Sequence, residues 1–189
     1  NRVKAAIPTI VELLKQNAKV VLRSHLGKVK WKDIAKGKAT REDIEKQRKK
    51  NDLSIVLPVL KGYLDQARGK DVKVFFSKDT RGEGLKNAID ALKDGEVLLV
   101  QNTRYEAGEE KNDPALGKEW ASYVDAFVRD AFGSAHRAHA STYGVPAELK
   151  AEGKPTAVGF LMEKEIKGLG RCVNPQENER PYIAILGGA

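Results

Sequence analysis

Cationic side chains follow three apolar, strand-like segments of the sequence, at residues 18–23, 96–101 and 125–128. The cations that come after these segments are His25, Lys28, Arg104 and Arg137. In a parallel α/β sheet the carboxyl ends of the strands meet at one edge, where ligands bind. The sequence therefore predicts a basic cleft at that edge, in which Gly27 would let the backbone approach a ligand closely.

A cleft of this kind suits a small polyanion, because the planar guanidinium group of arginine matches the geometry of carboxylate and phosphate groups. The alternative for each single cation is a position on the surface, paired with a nearby Asp or Glu. The placement of the whole set after successive strands favours the polyanion site.

Other kinds of site find less support in the sequence. His136 and His139 are three residues apart, but no cysteine or third histidine lies nearby at metal-ligand spacing, so no metal site is expected. Ser24 precedes His25, which could suggest a serine nucleophile with a histidine base. Neighbouring positions in a strand point to opposite faces, so this pair is not favoured. No Gly-x-Gly-x-x-Gly segment follows the first strand, which weakens an interpretation as a dinucleotide-binding protein. No P-loop signature is present either.

Short apolar segments alternate along the chain with segments of helical periodicity. Strands are predicted at residues 18–23, 72–76, 96–101, 125–128, 157–161 and 182–186. Helices are predicted at residues 7–16, 53–67, 83–93, 114–124 and 162–173. This alternation predicts an α/β protein with a three-layer, doubly wound parallel sheet of the Rossmann-like type. Residues 27–51 interrupt it and are predicted to form a long charged loop with a surface helix.

The net charge of +8 is concentrated in residues 28–50, which contain ten basic and four acidic residues. One interpretation is an arm that binds nucleic acid; the favoured one is a solvated segment of mixed charge, since only Trp31 offers a ring for base stacking. The single cysteine, Cys172, is typical of a reducing compartment. No apolar run approaches the roughly 18–20 residues of a membrane span, so a cytoplasmic protein is predicted.

Six segments of the sequence together resemble the phosphoglycerate kinase family over essentially the whole chain. The most specific is Asp-Ala-Phe-Gly-Ser-Ala-His-Arg-Ala-His-Ala-Ser at residues 130–141, and Ser-His-Leu-Gly-Lys at residues 24–28 is the next. The other four are residues 2–10, 101–105, 159–165 and 184–189.

The resemblance implies reversible phosphoryl transfer between 1,3-bisphosphoglycerate and ADP, which gives 3-phosphoglycerate and Mg-ATP. It implies that Arg2 is catalytic and contacts the transferring phosphoryl group. The residues implied to bind phosphoglycerate are Arg2, His25, Leu26, Gly27, Lys28, Arg104 and Arg137. Gly187, Gly188 and Ala189 would begin the nucleotide site, whereas most ligands of Mg-ATP or Mg-ADP are expected outside this chain. A cytoplasmic monomer with no membrane or nucleic-acid partner is expected.

The resemblance also implies a division of the chain. Residues 1–161 are expected to form the phosphoglycerate-binding domain, residues 162–181 an interdomain helix and hinge, and residues 182–189 the first strand of the nucleotide-binding domain. The first strand of the family is expected before Asn1 and the rest of the nucleotide domain after Ala189. Without them a sheet edge or slot should be unpaired, and the chain alone should bind phosphoglycerate poorly and transfer no phosphoryl group.

Three positions depart from the usual family pattern. Lys28 stands where arginine is usual, Arg129 where asparagine is usual and Ser134 where threonine is usual. At position 28 lysine therefore offers the point charge of an ammonium group in place of the planar set of N–H donors of an arginine guanidinium. The alternative to an enzyme half is a stand-alone module of the same fold that binds an anion or RNA.

Overall fold

The computed structural model describes residues 2–181 together with residues 183, 185 and 187. The described strands are β1 (Val20–Leu22), β2 (Val74–Ser77), β3 (Val97–Val100), β4 (Phe127–Arg129) and β5 (Thr156–Val158). The described α-helices are α1 (Arg2–Lys15), α2 (Trp31–Ala35), α3 (Arg41–Lys50), α4 (Leu57–Arg68), α5 (Gly82–Asp90), α6 (Pro114–Ala121), α7 (Val145–Ala151) and α8 (Phe160–Val173). The strand predicted at residues 182–186 depends on residues 182, 184 and 186, which lie outside the described residues.

The strands pair in parallel, which confirms the predicted α/β class, and they form two sheets. In the larger sheet β3 lies between β1 and β2, so that Val97 is opposite both Val20 and Val74. In the smaller sheet β4 pairs with β5, and Phe127 is opposite Thr156. Among the described strands only β3 has a partner on both sides, and β1, β2, β4 and β5 each have one partner, so the unpaired edge expected from the sequence stays a prediction.

The larger sheet is covered on both faces, which gives the three layers that were predicted. Val97 and Leu99 of β3 pack with residues of α1 and α4 on one face, whereas Leu98 and Val100 pack with Leu85 of α5 on the other. Successive side chains of a strand point to opposite faces, so a strand buried on both sides must be apolar throughout. The Val-Leu-Leu-Val sequence of β3 meets this requirement.

A further cluster of apolar side chains lies beside the smaller sheet and joins α6 to α7. Trp120 of α6 packs there with Val145 and Leu149 of α7. Sequence periodicity did not predict α7, because the helix has seven residues and only these two of them are buried.

The boundary between β5 and α8 differs from the prediction. The strand was predicted at residues 157–161, but Phe160 already begins α8. The Asp130 Oδ1 atom accepts hydrogen bonds from the backbone amides of Leu161 (2.9 Å) and Met162 (3.2 Å). These bonds satisfy two amides of the first helical turn. The acceptor lies 31 and 32 residues earlier in the chain, so no local sequence pattern indicates it.

The charged segment at residues 27–51 contains two helices, α2 and α3, where one was predicted. Thr40 begins α3 with a capping box, in which its side chain and that of Asp43 each bind the other's backbone amide. On α3 the cations partly pair with acidic neighbours, as Lys46 does with Glu42 at 2.9 Å. None of the helices in the described part of the chain is both long and apolar enough to cross a lipid bilayer.

We expect Leu64→Ala to lower the free energy of unfolding by about 2–5 kcal/mol, because Leu64 is completely buried between α4 and the sheet and its truncation leaves a cavity. Val59 lies on the same helix and is 51% exposed, so Val59→Ala should change stability by less than about 0.5 kcal/mol. Urea unfolding of both variants measures the difference. Equal effects would show that α4 does not bury the face assigned to it.

Candidate functional site

The buried side chain of Asn102 joins the loop after β1 to the loop after β3. Its Nδ2 group donates to the Leu26 carbonyl at 2.6 Å, and its Oδ1 atom accepts from the Arg104 amide at 3.0 Å. The Thr103 amide donates to the Ser24 carbonyl at 3.1 Å. Asn102 is 0% exposed, and an amide side chain suits this position because it donates and accepts at once.

Asn51, at the end of α3, extends this network. The carbonyl of Asn51 accepts from the Asn102 Nδ2 group at 3.0 Å, and its own Nδ2 group donates to the Lys28 carbonyl at 3.1 Å. Gly27 has φ +57°, and a Cβ atom at this position would collide with the Asn51 side chain. Glycine is therefore required at residue 27 both by the backbone conformation and by the close approach.

Glu110 lies among the cations that follow these two strands. The Lys28 Nζ atom is 3.1 Å from both carboxylate oxygens of Glu110, and the Arg104 Nε atom is 4.0 Å from Oε1. Burial opposes ionisation of this carboxyl, but Lys28, Arg104 and His139 outweigh it and hold the pKa of Glu110 below its ordinary value. The Arg104 side chain is 14% exposed, and its buried Nε atom has no hydrogen-bond partner among the described residues.

His25 faces several positive charges. His25 is exposed as a residue, but partial burial of its imidazole, followed by the charges of Arg104, His139 and Arg2, lowers the pKa of His25 to about 4, although Glu110 opposes the shift. Arg2, at the start of α1, contributes the smallest of these positive charges. At neutral pH the imidazole is therefore uncharged and has one donor and one acceptor nitrogen.

The loop after β4 is held against the same region by Glu109. This carboxylate is 2% exposed, accepts from the Ser141 amide at 2.9 Å and from the Ser141 hydroxyl, and lies 4.0 Å from the His139 Nδ1 atom. Burial lowers the pKa of His139, Glu109 opposes the shift, and the charges of Arg104 and, to a smaller extent, Arg137 add to it. A buried carboxylate therefore connects the segment that follows β3 to the segment that follows β4.

Arg137 lies on this third loop and is exposed. Its Nε group donates to the His136 Nε2 atom at 3.2 Å, and its carbonyl accepts from the Thr142 hydroxyl at 2.8 Å. None of the ion pairs among the described residues includes Arg137. Its guanidinium group is therefore available to an external anion.

We call the three loops, residues 24–28, 102–104 and 130–139, the basic rim. Arg2, His25, Lys28 and Arg137 are exposed, so the rim is open to solvent. Cationic donors at its surface, next to a neutral imidazole and the exposed backbone at Gly27, are suited to hold a ligand with carboxylate and phosphate groups.

The model of the family described as phosphoglycerate kinase matches residues 1–189. The chain belongs to the phosphoglycerate kinase family. It is 50% identical over 194 residues to the phosphoglycerate kinase of Listeria welshimeri serovar 6b, and 47% identical over 193 residues to that of Staphylococcus aureus (strain JH9). Both comparisons cover 100% of this chain and 42% of the relative, so the chain spans about two fifths of the length of these curated relatives.

Solved structures of phosphoglycerate kinases have a similar fold. The structure from Pyrococcus horikoshii OT3 is 33% identical with a TM-score of 0.69, over 93% of this chain and 38% of that one. The structure from Coxiella burnetii is 32% identical with a TM-score of 0.66, over 91% of this chain and 37% of that one.

In this phosphoglycerate kinase family chain the structure brings several of the sequence-predicted residues together. Lys28 and Arg104 share the carboxylate of Glu110, and Arg2 and Arg104 both act on His25. Arg137 contacts His136 and Thr142, and its charge adds to the lowering of the pKa of His139. Leu26 and Gly27 contribute backbone, and the Leu26 carbonyl is already occupied by Asn102. The ligand contacts of all these residues stay predictions.

Sequence reasoning missed the two carboxylates of the site. Glu109 and Glu110 occur in the polar run Glu-Glu-Lys-Asn-Asp, which is typical of a surface turn. Asn102 lies within the segment at residues 101–105 that resembles the family, and Asn51 lies at the end of the charged segment, where polar residues are common. Because all four act through contacts with residues distant in sequence, no local signal distinguished them.

The residues predicted to begin a nucleotide site lie mostly outside what the structure describes. Gly187 is described, with open space where a Cβ atom would lie, whereas Gly188 and Ala189 lie outside the described residues. Across residues 2–181, 183, 185 and 187, no group of three or more His, Cys, Asp or Glu side chains is arranged to hold a metal ion.

We expect Asn102→Ala to lower the free energy of unfolding by about 2–4 kcal/mol, because it leaves the Leu26 and Asn51 carbonyls without their buried donor. Hydrogen exchange of the Arg104 amide should also become faster, since its acceptor is lost. Asn87 is exposed on α5, so Asn87→Ala should change stability by less than about 0.5 kcal/mol. An Asn102→Ala variant with unchanged stability and exchange would contradict the role given to this side chain.

Proposed function

We propose that this chain supplies the phosphoglycerate site of a phosphoglycerate kinase. The proposed reaction is reversible phosphoryl transfer between 1,3-bisphosphoglycerate and ADP, which gives 3-phosphoglycerate and ATP. Membership of the family supports the reaction, and the basic rim supports the placement of the substrate. The rim is the observation that carries the proposal, because it presents cations from three loops on one open surface.

The proposed roles follow from the chemistry of each group. Arg104 and Arg137 would bind the anionic ends of phosphoglycerate, and neutral His25 would donate a hydrogen bond to a substrate oxygen. Arg2 would contact the transferring phosphoryl group and stabilise the charge on its equatorial oxygens. Such a reaction requires positioning and charge stabilisation rather than a covalent intermediate on the protein.

Lys28 and the backbone of Leu26 and Gly27 complete the proposed site. The Lys28 ammonium is a point charge, so it would attract the substrate without the paired geometry of an arginine. The Asn51 and Asn102 side chains hold the 24–28 loop in place, so its backbone is already ordered before a ligand binds. Ordering in advance lowers the entropy cost of binding.

The second substrate, Mg-ADP or Mg-ATP, would accept or donate the phosphoryl group when bound. Residues 187–189 are proposed to begin its site, with the other contacts in a nucleotide-binding domain. We propose that residues 1–161 form the substrate domain and residues 162–181 the connection. Ile166, Leu169 and Val173 of α8 are apolar and exposed, which supports a helix that faces another domain. A cytoplasmic monomer is part of the proposal.

We expect Arg137→Ala to weaken the binding of 3-phosphoglycerate by about 1–3 kcal/mol, the usual range for a hydrogen bond to a charged group. Isothermal titration calorimetry at low ionic strength measures the change. Since Arg137 is exposed and accepts its structural hydrogen bond through its carbonyl, the variant should fold normally.

Arg41→Ala is the matched control, because Arg41 is an exposed arginine of α3 outside the basic rim. Its affinity for 3-phosphoglycerate should equal that of the wild type. If Arg41→Ala weakened binding and Arg137→Ala did not, the anion would bind to the charged segment of residues 28–50 and the proposed site would be wrong.

A further inference from the structure

A negatively charged group already occupies the basic rim. The Glu110 carboxylate binds the Lys28 ammonium with both oxygens at 3.1 Å and lies 4.0 Å from the Arg104 Nε atom. The side chains of Glu110 and Lys28 are 32% and 47% exposed, so solvent and solutes reach the pair. An exposed pair of this type is held by a weak net free energy and can be exchanged for another partner.

The backbone of Glu110 is fixed although its side chain is accessible. Glu110 lies in a tight helical turn, Glu109–Lys111, which is closed by hydrogen bonds from the Lys111 and Asp113 amides to the Gly108 carbonyl at 3.2 and 3.0 Å. The neighbouring Glu109 anchors the turn to Ser141 from the buried side. The Glu110 carboxylate is therefore presented to the rim by a fixed support.

This carboxylate and the anionic groups of a ligand compete for the same donors. The Lys28 ammonium has three N–H donors, and the two carboxylate oxygens of Glu110 engage up to two of them. A carboxylate or phosphate oxygen that binds Lys28 therefore either replaces an oxygen of Glu110 or takes the third donor close to the Glu110 charge. If Glu110 stays in place, it repels the ligand over a short distance. If it moves away, the Lys28–Glu110 pair is lost. In both cases Glu110 reduces the net gain from binding an anion.

We propose that Glu110 is a resident counter-ion of the basic rim, which an incoming anion displaces from Lys28 and which thereby limits the affinity of the rim for phosphate-bearing ligands. The inference rests on the proposed function for the identity of the ligand, but the competition itself requires only an anion. It distinguishes Glu110 from Glu109, whose buried carboxylate is engaged by Ser141 and serves to hold the loops together.

Glu110→Gln tests the proposal, because glutamine keeps the shape of the side chain and removes its charge. The probes are inorganic phosphate and 3-phosphoglycerate, titrated calorimetrically into the 189-residue chain. We expect the variant to bind both probes about twofold to fivefold more tightly than the wild type at low ionic strength, the range that an exposed ion pair accounts for. The advantage should shrink as salt screens the charge. Glu110→Ala, a second variant without the charge, should bind more tightly as well.

Two comparison variants separate this effect from others. Glu83→Gln removes one negative charge from an exposed position on α5 and should leave both affinities unchanged, which tests for an effect of net charge. Glu109→Gln should lower the thermal unfolding midpoint, whereas Glu110→Gln should leave the midpoint near that of the wild type.

An affinity of Glu110→Gln for phosphate that is equal to or weaker than that of the wild type would overturn the proposal, since a residue that merely orients Lys28 and Arg104 would give that result. Failure of both proteins to bind phosphate would overturn it too.

If the variant gains affinity for phosphate but neither protein prefers 3-phosphoglycerate to phosphate, Glu110 is the counter-ion and the proposed function is wrong. If the wild type prefers 3-phosphoglycerate and the variant gains nothing, the proposed function stands and the inference about Glu110 falls.

Discussion

The geometry of the site depends on the hydrogen bonds of one buried amide, that of Asn102. The residue directly follows Gln101 at the end of the most buried strand, β3, so its position is set by the sheet. From there it binds the Leu26 and Asn51 carbonyls and the Arg104 amide. A buried polar group is costly unless each of its donors and acceptors is paired, so these contacts restrict three segments to one arrangement. Without that restriction the cations after β1 and β3 would have no fixed separation.

The electrostatics of the rim reflect a balance between cations held close together and carboxylates that compensate them. Glu109 contacts Ser141 and lies 4.0 Å from the His139 Nδ1 atom. Burial lowers the pKa of Arg23 to about 10, and the negative charge of Glu109 opposes that shift. Arg23 also stacks on the Trp120 ring, with its guanidinium carbon 4.1 Å from the ring centre. Buried charges require such partners, because an uncompensated charge in the interior is strongly destabilising. At the surface Glu110 forms an ion pair with Lys28 at 3.1 Å.

The sequence predicted the framework of the fold well and its long-range contacts poorly. The strands β1 and β3 were placed within two residues at each end, because their apolar, β-branched sequences have a direct physical cause in burial on both faces. The cations of the rim were predicted by their position after strands. By contrast, the start of α8 depends on a cap from Asp130, and the contributions of Glu109 and Glu110 depend on partners on other loops. Such contacts are set by the folded structure and leave no local pattern.

We propose that the three loops of the basic rim act as one site for phosphoglycerate. A titration of the ¹⁵N-labelled chain with 3-phosphoglycerate, followed by amide chemical shifts, tests it most directly. We expect the amides of Gly27, Arg104 and Arg137 to shift together with one dissociation constant, while the amides of α3 stay in place. Shifts confined to α3, or separate dissociation constants for the three loops, would contradict the account.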